Sequence, residues 1–368
     1  MNYYLGKNKQ TMYPSSCFEA SKFFIGILAL FLSANCKSID PLPFNPVVKP
    51  EFAGIYEKNT YLKDAKLVAK GKINGLESLD LDEDGNIYGG DAEGNIIKIN
   101  SLGEIFYIAN TGGRPLGVQF DKQQNLIVAD AYKGLLSISK KGEIQILVDE
   151  FHGEKLKFTD DLDISSDGKI YFSDASIYEQ KDYLYDLLEA RPHGRVFVYD
   201  PKTKNTSLLL DGLYFANGIA LSENEDFLLI NETYRYRITK LWLKGKNSGK
   251  SEILIENLPG FPDNITRNEK GEFWVSLFTV RNDRMDKMHP SVWTKLLISK
   301  LPKFLWPKPE PFGFVLKLDE SGNPIKTLMD PEGKNLKEIT SAIEKKGKLY
   351  IGSLYMDRIG VYDLRERQ

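Results

Sequence analysis

The sequence predicts an all-β protein, a six-bladed β-propeller with two helical insertions over the mouth of its central channel. Apolar runs of about four to eight residues alternate with turns such as DEDGN, SSDGK and NEKGE, which is typical of tight hairpins. A pattern of strand, turn and aromatic-rich strand returns about every 40–55 residues, the period of a propeller blade. The 19 Tyr and 20 Phe also favour strands. Six such units begin near Glu77, Pro115, Asp160, Asn217, Asp263 and Thr340.

Composition excludes several classes of function. The chain has 368 residues and a formal net charge of −2, so it has no general attraction to nucleic acid, and no basic stretch suggests one locally. Its two cysteines, Cys17 and Cys36, both precede the repeats, which excludes a disulfide or a thiolate metal site in the folded body. The chain has only three histidines, at unrelated points of the repeat, which argues against a multi-histidine metal site.

The N-terminal segment is interpreted as an export signal. Lys22 precedes FFIGILALFLSA, which is shorter than the ~20 apolar residues that a spanning helix needs. We therefore expect residues 1–35 to be a signal peptide and Cys36 to be lipidated, which predicts a membrane-anchored lipoprotein of the cell envelope. The alternative is a single uncleaved N-terminal anchor.

Between this segment and the repeats, residues 36–63 contain several prolines and no periodicity. They are predicted to form the lipidated N-terminus and a Pro-rich tether. The propeller is assigned to residues 64–368. Ala65–Gly71 reads as a strand that precedes the first unit, and it is predicted to close the ring by pairing with the last strand near Val361.

Oxygen-bearing side chains stand where four of the inner strands begin, so the predicted fold brings them to one end of the channel. These residues are Glu77, Asp160 with Asp161, Asn217, and Asp263 with Asn264. Carboxylate and amide oxygens suit Ca²⁺, which takes six to eight oxygen ligands, whereas Zn²⁺ prefers His or Cys. The alternative is that each Asp or Asn only caps its own turn. Because the same position recurs in four units, we predict a Ca²⁺ site at Glu77, Asp160, Asn217, Asp263 and Asn264.

The two insertions, Ser176–Gly194 and residues 279–312, both have apolar residues at helical spacing. They occur in the link from the second to the third strand of their units, which places them over the same mouth. They either cover the core or form a hydrophobic lid that controls access of substrate. The second insertion also has Lys295, Lys300 and Lys303 beside Trp293, Phe304 and Trp306, which suggests contact with a membrane surface.

A series of motifs in this chain resembles one known family. In chain order they are GLES from Gly75, GRPLGV from Gly113, FTDDLDI from Phe158, IYFSDAS from Ile170, FANGI from Phe215, NLPGFPDNI from Asn257 and LYIGSL from Leu349. Over about residues 40–365 the chain resembles the calcium-dependent six-bladed propellers that include strictosidine synthase-like proteins, paraoxonases and gluconolactonases. It is most similar to the branch that contains adipocyte plasma membrane-associated protein.

The resemblance implies a catalytic calcium held by the five residues named above. The family usually has Asn where this chain has Asp160, which adds a negative charge to the site. The resemblance to paraoxonases also implies that Asp161 holds a second, structural calcium. Two departures limit the transfer of function: Leu116 stands where paraoxonases have a His base, and Thr340 stands where strictosidine synthase has a Glu.

The sequence therefore predicts a calcium-dependent hydrolase of a small-molecule ester or lactone, similar to an arylesterase or lactonase. Calcium would polarise the carbonyl group, and Asp263 would act as general base or nucleophile. The alternative is a non-enzymatic envelope protein that binds a ligand or partner at the mouth. We do not expect strictosidine synthase activity.

Overall fold

The computed structural model describes residues 38–365, and it confirms the predicted six-bladed β-propeller. Every blade is a four-stranded antiparallel sheet, and one further two-stranded hairpin lies between the second and third blades. Within a blade, consecutive strands are neighbours, which is the simplest result of short hairpin turns. The predicted signal peptide at residues 1–35 and the predicted lipidation site Cys36 lie outside the described residues.

The strands, numbered in chain order, have the following bounds: β1 Lys66–Val68, β2 Leu79–Leu81, β3 Ile87–Gly90, β4 Asn95–Ile99, β5 Ile105–Asn110, β6 Pro115–Phe120, β7 Leu126–Asp130, β8 Gly134–Ile138, β9 Ile144–Val148, β10 Glu150–Phe151, β11 Glu154–Lys155, β12 Thr159–Ile164, β13 Ile170–Asp174, β14 Gly194–Asp200, β15 Asn205–Leu213, β16 Ala216–Leu221, β17 Phe227–Glu232, β18 Arg237–Trp242, β19 Ser251–Ile255, β20 Gly260–Arg267, β21 Phe273–Val280, β22 Gly313–Leu318, β23 Pro324–Asp330, β24 Ile339–Lys345, β25 Lys348–Ser353 and β26 Ile359–Asp363. Blades one to five are β2–β5, β6–β9, β12–β15, β16–β19 and β20–β23, and blade six is β24–β26 with β1.

The ring closes as the sequence predicts. Strand β1 pairs with β26 in antiparallel register, with Lys66 opposite Val361 and Val68 opposite Ile359. The outer strand of the last blade therefore comes from the N-terminal side of the first blade. A ring closed in this way joins the first and last parts of the propeller in one sheet, so both must come together before the ring forms.

Neighbouring inner strands approach each other closely beside the channel, and glycine makes this possible. A Cβ on Gly218 would lie 2.4 Å from Cα of Asn264 in the next blade. At Gly117 it would lie 2.8 Å from Cα of Asp161. Such separations are below any real Cβ contact, so larger residues here would push the blades apart.

Carboxylates that are buried (Asp80) or half-buried (Asp163) connect adjacent blades by accepting backbone hydrogen bonds. Asp80 accepts one from the N–H of Phe120 at 2.8 Å, and Asp163 accepts one from the N–H of Leu221 at 2.8 Å. A charged acceptor roughly doubles the strength of such a bond, so these contacts hold the blades in register.

The helices are α1 Tyr183–Glu189, α2 Asp283–Met288 and α3 Val292–Ser299, and six short 3₁₀ segments are Gly54–Tyr56, Tyr61–Asp64, Gln180–Asp182, Thr233–Arg235, Gly245–Asn247 and Lys303–Leu305. Helix α1 lies in the first predicted insertion, and α2 and α3 lie in the second. Asn282 caps α2 by accepting a hydrogen bond from the N–H of Met285, and Ser291 caps α3 through the N–H of Thr294. No helix within residues 38–365 is long and apolar enough to span a membrane.

Two details of the second insertion differ from the sequence prediction. Lys295 and Trp306 were expected beside the exposed aromatics, but both are buried. The Nζ of Lys295 donates to the carbonyl of Leu42 at 2.6 Å, and the Nε1 of Trp306 donates to the carbonyl of Leu301 at 2.9 Å. Each side chain buries its apolar part because it finds an internal acceptor for its polar end.

The segment predicted to be a tether packs against the propeller from residue 38 onward. Ile39 and Leu62 are buried, and the latter joins the core between blades five and six. The amide of Asn59 donates to the carbonyl of Thr327 at 3.2 Å. Several of its apolar side chains and polar groups therefore have partners on the body, although Val47 and Val48 are exposed.

Candidate metal centre

The inner strands carry β-bulges at the positions where the sequence predicts ligands. In β12, Thr159 pairs with Asp174 and Leu162 pairs with Phe172, so Asp160 and Asp161 together oppose the single residue Ser173. The same arrangement recurs in two further strands, where Asn217–Gly218 opposes Asn231 and Asp263–Asn264 opposes Ser276. A bulge redirects a side chain out of the normal alternation of a strand, and such features are frequent beside functional sites.

Four of the five predicted calcium ligands line one cavity at the mouth of the channel. Glu77, Asp160, Asn217 and Asp263 are all buried and contribute polar groups to this cavity, which has a volume of about 110 Å³. The fifth, Asn264, is buried beside Gly218 behind them. The fold thus brings together residues as far apart in sequence as Glu77 and Asp263, which are about 186 positions apart.

Most of the cavity wall is apolar. Apolar side chains come from the inner strands and from both helical insertions, and they include Leu116, Phe158, Leu184, Leu187, Phe215, Phe261, Phe278, Met285 and Leu354. The polar side chains that also line the cavity, the predicted ligands included, are the groups that can orient a bound molecule. The insertions are therefore walls of the cavity, as the lid interpretation requires.

Each of the five predicted ligands has a buried side-chain atom without a hydrogen-bond partner. These atoms are Oε2 of Glu77, Oδ1 of Asp160, Oδ1 of Asn217, Oδ1 of Asp263, and Oδ1 and Nδ2 of Asn264. A buried polar group that lacks a partner costs about 1–3 kcal/mol, so several together need an explanation. The donor set consists of hard oxygens, which fits a cation such as Ca²⁺.

The carboxyl groups also raise one another's pKa. Burial, with a smaller opposing effect of Arg114, raises the pKa of Glu77 to about 7. Burial and repulsion from Glu77 raise the pKa values of both Asp160 and Asp263 well above their usual range. The neighbouring side chain of Asn217 acts in the opposite direction and lowers the pKa of Asp263. A divalent cation would remove the remaining cost by favouring the charged forms.

Within residues 38–365, no three acidic, histidine or cysteine side chains form a group that could hold a metal by themselves. A cation at this mouth would therefore need the amide oxygens of Asn217 and Asn264 in addition to the carboxylates. The buried oxygens without hydrogen-bond partners are the observation that favours such a cation.

The residue predicted to hold a second calcium, Asp161, has a different set of contacts. Its Oδ2 accepts a hydrogen bond from the N–H of Ile219 in the next blade at 3.0 Å. Burial raises its pKa to about 8, although hydrogen bonds from the backbone of Ile219 and Leu162 act in the opposite direction. Like Asp80 and Asp163, it connects two blades, and its role toward a second ion remains a prediction.

Three residues that support the site were missed by the sequence reasoning. Asn231 donates to the carbonyl of Asp263 at 2.5 Å, and Thr233 donates to the carbonyl of Pro262 at 2.7 Å, so both fix the bulge of β20. Arg114 is buried, donates to the carbonyl of Gly75 at 3.0 Å and provides a positive charge beside Glu77. In the sequence, Arg114 within GGRPLGV and Asn231 at the end of FLLIN were the features that could have indicated this supporting role.

The structure shows what Leu116 and Thr340 do, the two residues that differ from the His of paraoxonases and the Glu of strictosidine synthase. Leu116 is buried at the bulge of β6 and lines the cavity. The hydroxyl of Thr340, at the bulge of β24, donates to the carbonyl of Glu77 at 2.8 Å. Thr340 therefore stabilises the backbone of a predicted ligand and has no acid–base function.

Comparison with known proteins agrees with this architecture. Residues 160–246 match the family described as strictosidine synthase, and residues 54–99 match the one described as strictosidine synthase-like, N-terminal. The chain is 36% identical over 344 residues to adipocyte plasma membrane-associated protein of Bos taurus, which covers 86% of this chain and 82% of that protein. It is 42% identical over 262 residues to protein strictosidine synthase-like 10 of Arabidopsis thaliana, covering 68% and 70%.

Solved structures with the same fold are more distant in sequence. A gluconolactonase from Xanthomonas campestris has a TM-score of 0.59 at 16% identity and covers 89% of this chain and 98% of its own. A calcium-binding regucalcin from Agrobacterium tumefaciens has a TM-score of 0.55 at 13% identity, covering 79% and 90%. At these identities the likeness concerns the fold alone.

Proposed function

Because this chain belongs to the strictosidine synthase-like family of six-bladed propellers, we propose that it is a calcium-dependent hydrolase of an uncharged, largely apolar ester or lactone. The observation that carries the proposal is the set of five buried residues with unsatisfied oxygens or amides beside an otherwise apolar cavity. The fold relatives that are named gluconolactonase and regucalcin are consistent with it, but their low identity adds no independent support.

Glu77, Asp160, Asn217, Asp263 and Asn264 are the residues proposed to hold the calcium. When bound, calcium supplies a Lewis acid that stabilises negative charge on a carbonyl oxygen, which is worth several kcal/mol in such reactions. The apolar wall excludes water from the rest of the substrate and favours molecules without charge.

Asp263 is the proposed general base. Its carboxylate faces the cavity, so it can accept a proton from a water molecule there. In the proposed reaction, the oxygen of a water molecule bonds to the carbonyl carbon while its proton moves to Asp263. The bond between the acyl carbon and the leaving oxygen then breaks, and the proton passes to that oxygen, which leaves an acid and an alcohol.

The test is hydrolysis of aryl esters and lactones by the full chain, with added calcium and with a chelator. We expect turnover that requires calcium and falls at least about 100-fold in Asp263→Asn, as general bases contribute about 10²–10⁴-fold. Asp167→Asn is the matched control, because Asp167 is an exposed carboxylate in the β12–β13 turn, on the opposite face of the propeller. A calcium-binding protein that turns over none of these substrates would contradict the proposal.

The second candidate is a non-enzymatic protein that binds a ligand at the same mouth. It is favoured by Leu116 and Thr340, which leave the site without the His and Glu that resembling enzymes use. In that case Asp263→Asn would weaken ligand binding or stability with no turnover to lose. The two candidates are thus separated by the same pair of variants.

We also propose that Cys36 carries a lipid that anchors the exported protein to a membrane. The support is the apolar run that precedes it in the sequence. Labelling with a radioactive fatty acid should mark the wild type and Cys17→Ser but not Cys36→Ser. Absence of label from wild-type protein that still sediments with membranes would favour the uncleaved anchor instead.

A further inference from the structure

Helix α3 and the segment after it expose an unusual number of large apolar side chains. Val292, Trp293, Leu296 and Leu297 are exposed on α3, and Phe304 and Leu305 are exposed just beyond it. Trp293 and Phe304 keep 72% and 73% of their surface accessible. We call these six residues the α3 patch. Contiguous exposed apolar surface of this kind marks a site of interaction.

Elsewhere in residues 38–365, many exposed apolar side chains lie on the outermost strands of different blades. Examples are Tyr107 on β5, Ile146 on β9, Ile253 on β19 and Ile325 on β23. Outer strands alternate between a packed and a solvent-facing side, so exposed residues there are expected and need no partner. The α3 patch differs because its residues belong to one helix and its continuation over the mouth.

The polar groups of α3 do not provide a charged surface. Lys295 is the single charged residue within the bounds of the helix, and it points inward to the carbonyl of Leu42. Beyond the helix, Lys303 forms an ion pair with Asp182 at 3.0 Å. The helix itself therefore presents no charge to solvent, and the nearby lysines Lys300 and Lys303 lie at its C-terminal end. The patch is suited to an apolar partner.

The path of the N-terminal segment indicates what this partner is. The N–H of Leu42 donates to the carbonyl of Glu189 at the end of α1, and its carbonyl accepts from Lys295 on α3. The chain thus lies between the two insertions, on the mouth face, close to residue 38, where the described part of the chain begins. Six residues separate Leu42 from Cys36, a reach of at most ~20 Å. The apolar run at residues 23–34 comes directly before.

We propose that the α3 patch inserts into the surface of a lipid bilayer, the same bilayer that holds the N-terminal apolar segment, so that the mouth of the propeller faces the membrane. An apolar helix face rich in Trp, Phe and Leu binds at the boundary between headgroups and acyl chains. Because Pro307, Lys308 and Pro309 follow the patch and line the cavity, this orientation opens the cavity toward the bilayer. The docking itself does not depend on the proposed hydrolase activity.

The test uses the full chain reconstituted in phosphatidylcholine vesicles, with and without bromine on the acyl chains. Bromine quenches tryptophan fluorescence only at short range. Of the four tryptophans, Trp274 and Trp306 are buried, while Trp242 ends β18 on the face opposite the mouth. We expect a loss of at most about one quarter of the emission, which corresponds to one of four equal contributors. The loss should persist at high salt.

Two conservative variants identify the residue responsible. Trp293→Phe keeps the patch apolar and should abolish the quenching, whereas Trp242→Phe should leave its absolute size unchanged. Matching melting temperatures of both variants and the wild type exclude loss of fold as the reason. No quenching of vesicle-bound wild type, or equal quenching in Trp293→Phe, would overturn the proposal.

A second copy of the chain is the other occupant that the experiment separates. If copies cover each other's patches, brominated lipid will leave Trp293 unquenched. Wild-type protein in detergent will then sediment as a dimer, and the double variant Trp293→Glu with Leu297→Glu will sediment as a monomer. That result would reject membrane docking. A monomeric wild type with quenched Trp293 supports it.

Discussion

Removal of calcium should destabilise the protein in a way that depends on pH. Burial raises the pKa of Glu77 from 4.5 to about 7 when no cation is present. The folded chain then binds a proton more tightly than the unfolded chain, so the stabilising contribution is complete below pH 4.5. It is lost as the pH rises toward 7 and above. Asp160 and Asp263 change in the same direction, because burial and mutual repulsion raise the pKa of each.

The size of the effect follows from Glu77 alone. The rise of its pKa from 4.5 to about 7 corresponds to a loss of about 3 kcal/mol in the free energy of unfolding between pH values below 4.5 and above 7. With an unfolding entropy of about 2.1 cal/mol/K per residue, a propeller of about 300 residues changes its melting temperature by about 1.5 °C per kcal/mol, which gives a loss of about 4–5 °C. Calcium at about 100 times its Kd at the same pH would restore about 2.7 kcal/mol of this by binding only the folded state.

The assay is thermal unfolding of the full chain at pH 5 and pH 8, with calcium or with a chelator. We expect the chelator to have a small effect at pH 5 and a large one at pH 8. Glu77→Gln removes the charge, so at pH 8 without calcium this variant should melt above the wild type, while its response to calcium should be weaker. Glu83→Gln, an exposed residue of the same blade, is the matched control.

Two results would refute this reasoning. One is a melting temperature at pH 8 that does not respond to the chelator. The other is a Glu77→Gln variant that is less stable than the calcium-free wild type at both pH values. The second result would mean that the ionised carboxylate already has a protein partner that stabilises it.

Two further predictions concern buried contacts away from the cation. Arg237→Met should cost about 3–5 kcal/mol in urea unfolding, because it leaves the fully buried Glu232, now held at 2.7 and 2.8 Å, without its countercharge. The same change at the exposed Arg365 should cost at most about 1 kcal/mol, and equal costs would contradict the argument. Thr340→Val should cost about 1–3 kcal/mol by leaving the carbonyl of Glu77 without its donor, and a loss of calcium affinity larger than about tenfold in this variant would show a more direct role.

Local sequence patterns were sufficient to predict the architecture. Turn residues such as Gly85 in DEDGN and Gly271 in NEKGE fix hairpins through their own backbone preferences, so the number and length of strands can be read along the chain. The recurrence of the unit then predicts six blades and the closure by β1. The oxygens of Glu77, Asp160, Asn217 and Asp263 could be grouped because each occupies the same place in its unit.

The tertiary structure decided how these residues act together. Regular alternation along β12 would point Asp160 and Asp161 to opposite faces of the sheet. The bulge opposite Ser173 interrupts this alternation, so the directions of both side chains depend on the bulge. A bulge is a mismatch between two paired strands, so neither strand alone contains it. Likewise, the inward direction of Lys295 depends on a carbonyl 253 positions away. Long-range partners of this kind decide burial and charge, and the sequence of one segment does not specify them.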